Sequence, residues 1–176
     1  MKFINLNYLV IIIYLISSSF SYSIDRPDIK NLIIHKSKKK IENLEFLNSE
    51  GQKTSIINYS RNPIIMNFWA TWCAPCREEM PSLDKLKSLN EFKNVNILPI
   101  NIGGESIEKS KNFFEDLNIK YLKIFSGSGE EFSENFKIRG LPTTILIDKN
   151  GYEFARIVGY IDFENKPFLN WLKNNL

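Results

Sequence analysis

The run Ile64-Ile65-Met66-Asn67-Phe68-Trp69 constrains the fold more than any other stretch of this chain. It is short and apolar, and the turn-forming Arg61-Asn62-Pro63 bounds it upstream, as expected of a buried strand. Cys73-Ala74-Pro75-Cys76 follows after a brief connection, and these are the only two cysteines in the sequence. Beyond them, apolar residues at 80, 83, 86 and 89 mark one face of a helix. The order strand, connection, Cys-x-x-Cys, helix puts Cys73 at a helix N-terminus, where unpaired N–H groups and the helix dipole favour an anion. The thiolate is the nucleophilic form of cysteine. Pro75 suits a first helical turn, where its missing N–H removes no helix bond. Cys76, one turn further in, is placed to attack a mixed disulfide formed on Cys73.

Other uses of two thiols must be weighed. A structural zinc site needs about four ligands, and the chain offers two cysteines and one distant histidine, His35; no metal is expected. A structural disulfide across so short a loop gains little chain entropy. The spacing alone also admits two inert buried thiols. Glu79, three residues past Cys76, lies on the same helical side, either as a proton acceptor for Cys76 or as an acid balancing the helix dipole. Pro81 falls inside the predicted helix.

The segment Asn67-Phe68-Trp69-Ala70-Thr71-Trp72-Cys73-Ala74-Pro75-Cys76-Arg77-Glu78-Glu79-Met80-Pro81 closely resembles the active-site segment of TlpA/ResA-like thiol-disulfide oxidoreductases, extracytoplasmic members of the thioredoxin superfamily. A second segment, Arg139-Gly140-Leu141-Pro142-Thr143-Thr144-Ile145-Leu146-Ile147-Asp148, is similar to that family's cis-proline loop and following strand. The resemblance runs from about Ile41 to Leu176. It implies an α/β thioredoxin-like fold with an N-terminal β-hairpin and a central strand-helix insertion. It implies Cys73 as attacking thiol, Cys76 as resolving thiol, a redox-active disulfide between them, and Glu79 as the active-site acid. It implies Trp72, Leu141 and Pro142 as substrate-binding residues, with Leu141 offering backbone groups to an extended segment by strand addition. No cofactor is implied. Where cytoplasmic thioredoxins carry a buried aspartate, this chain has Asn67, which accepts no proton at ordinary pH, leaving Glu79 as the acid of the motif.

The implied activity is reduction of disulfides in exported proteins by thiol–disulfide exchange. The implied partners are those proteins and a membrane thiol electron donor of the CcdA/DsbD type. Apocytochrome c is the substrate the family suggests most often, but Leu141-Pro142-Thr143 departs from the Ala-Pro-Glu common in the cytochrome-maturation branch. A peroxiredoxin-like peroxidase would keep a threonine three residues before its reactive cysteine, where this chain has Ala70. A copper-delivery protein of the related family would carry Cys-x-x-x-Cys and a downstream histidine, and no histidine follows position 35.

The 176 residues suffice for one domain. A net charge of +3 argues against an electrostatic nucleic-acid binder. Residues 1–23 have secretory signal layout, with Lys2, an apolar core over 8–16 and the small-residue stretch Ser17 to Ser23. That core is short for a membrane span of about 20 residues. The protein is therefore expected to be periplasmic or otherwise extracytoplasmic, soluble after cleavage or tethered to the inner membrane by residues 8–16. Residues 24–40 read as a polar linker, with His35 a spectator, and 41–176 as the thioredoxin domain. Within it the predicted order is a hairpin around 48–52, the strand and helix of the first motif, a strand at 95–102, a helix over 107–117 capped by Ser106, an extended piece at 121–125, a helix at 130–136, a hairpin at 143–160 and a helix over 163–176.

Overall fold

A computed structural model describes residues 27–176; the expected signal or anchor segment lies outside the described residues. In chain order the elements are β1 (Leu32–Lys40), β2 (Glu45–Asn48), β3 (Lys53–Ser55), β4 (Ile64–Trp69), α1 (Ala74–Ser88), β5 (Asn96–Asn101), α2 (Ile107–Asp116), β6 (Phe125–Ser126), α3 (Gly129–Phe136), β7 (Thr143–Ile147), β8 (Tyr152–Val158) and α4 (Lys166–Asn175). The strands form one mixed sheet in the order β1-β8-β7-β4-β5-β6-β2-β3. β4 is central, parallel to β5 and antiparallel to β7.

Every residue of β4 is buried. Because side chains alternate along a strand, one apolar run feeds two cores. Ile65 and Trp69 join Met80, Leu83 and Leu86 of α1, Phe113 and Phe114 of α2, and Phe168 and Leu172 of α4. Ile64, Met66 and Phe68 face the other way, toward Leu98, Phe132 and Phe136. Aromatic contacts close both layers, with Trp69 and Phe113 ring centres 4.6 Å apart and Phe68 and Phe136 5.5 Å apart. Helices on both faces of a mixed sheet give the thioredoxin-like α/β class, with the β2–β3 hairpin and the β5–α2–β6 block in their expected places.

The helix starts follow from side-chain caps. Ser106, Ser128 and Asn165 each accept a backbone N–H from three residues on, satisfying donors that a helix leaves unpaired. α4 therefore begins at Lys166 instead of 163, and Phe163 is a buried core residue whose N–H donates to Ser82 Oγ. The extended piece expected at 121–125 shrinks to the two residues of β6. Buried Asp84 on α1 accepts the amides of Lys120, Tyr121 and Leu122 at 3.1, 2.7 and 2.9 Å, so those donors bond a side chain and not a neighbouring strand.

One expectation is corrected. The segment read as a polar linker contains β1, paired antiparallel with β8 at the edge of the sheet. Its lysines are the kind of side chain that blunts an exposed edge, and that polarity masked the strand in the sequence. His35 is no spectator: its Nε2 lies 2.6 Å from Oε1 of buried Glu153. Arg156 grips the same carboxylate through Nε and Nη2 at 2.6 and 2.8 Å and donates to the Phe136 carbonyl through Nη1. Lys38 reaches Asp148 at 2.7 Å. The sheet thus begins at Leu32, nine residues before the boundary read from the sequence.

Candidate active site

The connection after β4 ends at Cys73, the N-cap of α1, with Pro75 in the first turn. Cys73 and Cys76 form a disulfide, S–S 2.11 Å. Cys73 Sγ accepts the Cys76 N–H at 3.3 Å, so an unpaired helix donor points at the sulfur where a thiolate would form. Both cysteines are buried, Cys73 at 5% exposure and Cys76 at 1%. Trp72 beside them is 67% exposed.

Glu79 sits one turn beyond Cys76 on α1 and is 1% exposed. Its Oε1 accepts from Asn67 Nδ2 at 2.7 Å and its Oε2 from the Ile161 N–H at 3.0 Å. Asn67 Nδ2 also donates to Thr144 Oγ1 at 2.9 Å. Burial pushes the Glu79 carboxyl up to about 7, outweighing the two hydrogen bonds that favour its ionised form. A carboxyl with that value exchanges protons near neutrality, as a general acid–base must. Asn67 Oδ1 is buried and finds no partner among the described residues.

The second motif closes the site. The Leu141–Pro142 peptide is cis. Pro142 O accepts the Gly159 N–H at 2.8 Å, which leads the chain through Tyr160 to Ile161 and so to Glu79. Asn31, just before β1, donates to the carbonyls of Val158 and Tyr160, bracing that same loop. Leu141 is half-buried, and its amide and carbonyl make no hydrogen bond among the described residues. A shallow groove of about 350 Å³ runs between Trp72, Ile102, Ile138, Arg139, Gly140 and Leu141. A larger cavity, about 470 Å³, lies between the β2–β3 turn, α2 and residues 119–125 and contains none of the site residues.

Comparison with known proteins agrees with this geometry. The sequence model of the Redoxin family matches residues 27–167. The chain belongs to the Redoxin family. Among curated relatives, the thiol-disulfide oxidoreductase ResA of Bacillus thuringiensis subsp. konkukian is 31% identical over 121 residues, 69% of each chain. ResA of Geobacillus thermodenitrificans is 31% identical over 116 residues, 66% of each. Among solved structures, a secreted thiol-disulfide isomerase from Corynebacterium glutamicum superposes with a TM-score of 0.67 at 20% identity, covering 85% of this chain and 96% of that one. This redoxin is a thiol-disulfide oxidoreductase, and Cys73 and Cys76 stand in it as a Cys-x-x-Cys pair at disulfide distance.

Sequence reasoning placed Cys73, Cys76, Glu79, Trp72, Leu141 and Pro142, and the fold gathers the elements that carry them at one end of the sheet. It missed how Glu79 is held, since its partners Asn67 and Ile161 lie 12 and 82 positions away. It also missed Glu105, which accepts both the N–H of Thr71, at 2.8 Å, and the Thr71 hydroxyl. The available signal was position: Gly103-Gly104-Glu105 follows the C-terminal end of β5, the parallel neighbour of β4, where α/β folds place their sites.

Proposed function

We propose that this redoxin is an extracytoplasmic reductant of disulfides in exported proteins. The observation that carries the reading is the buried Glu79 one turn from Cys76. A carboxylate there opposes a second negative charge in the same dry region, so it disfavours a thiolate and withholds the thiolate stabilisation that would otherwise favour the reduced pair over the disulfide. A couple biased toward its disulfide is a good electron donor. In the forward reaction the Cys73 thiolate attacks a substrate disulfide and releases one substrate thiolate. Cys76, giving its proton to Glu79, then attacks Cys73 Sγ in the mixed disulfide and expels the second substrate thiolate. The unpaired amide and carbonyl of Leu141 suit an extended substrate segment laid beside the cis-proline loop, where main-chain bonds give affinity.

Regeneration requires a thiol donor, and a membrane electron carrier of the CcdA/DsbD type has the chemistry for it. The signal-like residues 1–23 and the relatives' descriptions as a secreted isomerase and, in Streptococcus pneumoniae, an exposed lipoprotein thioredoxin support an extracytoplasmic location. Among the described residues no helix is long and apolar enough to cross a membrane. Apocytochrome c is the narrower substrate candidate; the Leu141-Pro142-Thr143 sequence supports a broader clientele. The test is the reduction potential of the Cys73–Cys76 couple in the purified protein. A value near about −270 mV or lower is expected, and one near about −120 mV, the range of strong periplasmic oxidants, would reverse the direction.

A further inference from the structure

The β5–α2–β6 block has a direct hold on the reactive loop. β4 and β5 run parallel, with Trp69 opposite Asn101, so the chain segments leaving their C-terminal ends emerge side by side. Ile102 N–H donates to the Trp69 carbonyl at 3.0 Å. Asn101 then organises its own loop: Oδ1 accepts the Gly103 N–H at 2.8 Å, and Nδ2 donates to Ser110 Oγ at 2.9 Å and to Glu105 Oε2 at 3.3 Å. Glu105 spends the rest of its carboxylate on Thr71, whose N–H and hydroxyl both donate to it. Bonds to a carboxylate are among the stronger hydrogen bonds in proteins. Burial alone would push the Glu105 carboxyl up, but its bonds from Thr71 and Asn101 and the charge of Lys109 bring it below its ordinary value.

An acid just before a helix often only balances the helix dipole. That role requires no contact with another loop. Glu105 takes both donors of a single residue two positions before Cys73, and the two loops pack without a gap. A Cβ at Gly103 would lie 2.6 Å from Ala70 Cβ and 3.0 Å from Trp72 Nε1. Glycine is needed there chiefly because Ala70 of the reactive loop lies so close, with the Trp72 indole also tight against the same position.

We propose that Glu105 is a positioning residue for thiol–disulfide exchange, clamping Thr71 so that the Trp72 indole, next in sequence to Cys73, stays fixed as a wall of the substrate groove. A polypeptide substrate, which must lie along Trp72 and Leu141 while its disulfide meets Cys73, depends on that fixed wall. A small disulfide needs only the sulfur. The inference uses the exchange activity and the groove contact proposed above, and is indifferent to the direction of electron flow.

The test compares wild type, Glu105→Ala and Glu105→Gln, using the dithiol form of the full-length protein in single-turnover reactions. Insulin serves as protein disulfide and dithiobis(nitrobenzoate) as small disulfide. Glu105→Ala is expected to raise the half-saturating insulin concentration about tenfold while the small-disulfide rate stays within about twofold of wild type. Glu105→Gln is expected to recover most of the loss, because its amide can accept from the Thr71 N–H and donate to the Thr71 hydroxyl oxygen. Equal losses on both substrates, no loss on either, or a glutamine variant as impaired as alanine would overturn the assignment. If Glu105→Ala does not fold, Thr71→Val, which keeps one of the two bonds, is expected to show the same split at about threefold. If wild type does not reduce insulin, the reductant reading fails. The split is then read with the disulfide form of the enzyme oxidising reduced insulin chains.

Discussion

Replacing Glu79 by glutamine should reverse part of the pH dependence of stability. The carboxyl is 1% exposed and moves from 4.5 to about 7 because burial penalises its charge. Its folded-state value exceeds its unfolded one, so between those limits the native state holds a proton that the unfolded chain has released. Stability from this group is fully present below pH 4.5, falls as pH rises to about 7, and is flat beyond. The interval of about 2.5 pH units, at about 1.36 kcal/mol each, comes to about 3 kcal/mol. Glutamine cannot ionise, so the variant gains about 3 kcal/mol on wild type between pH 4.5 and pH 8. Urea unfolding of both disulfide-bonded proteins at the two pH values measures this. Neither cysteine titrates in that form, and Glu105, Asp148 and Glu153, whose values are lowered, contribute equally to both proteins and cancel. A double difference below about 1 kcal/mol, or one of opposite sign, would refute the reasoning. The kinetic counterpart is a rate of mixed-disulfide resolution that climbs through about pH 7 in wild type and loses that climb in Glu79→Gln.

Further outcomes follow from the same contacts. Asn67→Asp places a second carboxyl where Nδ2 now lies 2.7 Å from Glu79; the two then share a proton, and the resolution midpoint moves above that of wild type. A pH–rate profile with an unmoved midpoint would count against it. Cys76→Ser should accumulate a mixed disulfide on Cys73, seen by intact mass, whereas accumulation in Cys73→Ser would exchange the two roles. Glu153→Gln removes the partner of Arg156 and His35 and should cost about 2 kcal/mol near neutral pH, somewhat less than a fully buried pair, since both partners keep some solvent contact. Because the Glu153 value is lowered by those bonds despite its burial, that cost should shrink as pH falls below the ordinary carboxylate range, which urea midpoints across pH would show.

Local pattern accounts for what could be read early. The apolar run of β4, the three-residue recurrence of α1 and the Ser106 cap of α2 each act within a few residues, so those positions were legible, whereas the Asn165 cap that starts α4 at Lys166 went unread. The spacing of the two cysteines marked them directly, while Glu79 and Pro142 were singled out by the resemblance of their two segments to the family's motifs. β1 was not legible: an edge strand protected by lysines has the composition of a linker until its partner β8 is known. The length of β6 was hidden for a related reason, since Asp84 takes its neighbours' amides from 36 to 38 residues away.

The sequence by itself determined which atoms can react and where a helix dipole meets a sulfur, because both depend on neighbours along the chain. Tertiary structure alone decided the protonation behaviour of Glu79, where burial outweighs the bonds from Ile161 and Asn67, and the grip of Glu105 on Thr71 across 34 positions. Desolvation and hydrogen-bond geometry are properties of a three-dimensional neighbourhood. A linear pattern can name the carboxylates, but only packing says how much water each one loses and which donors it receives in return.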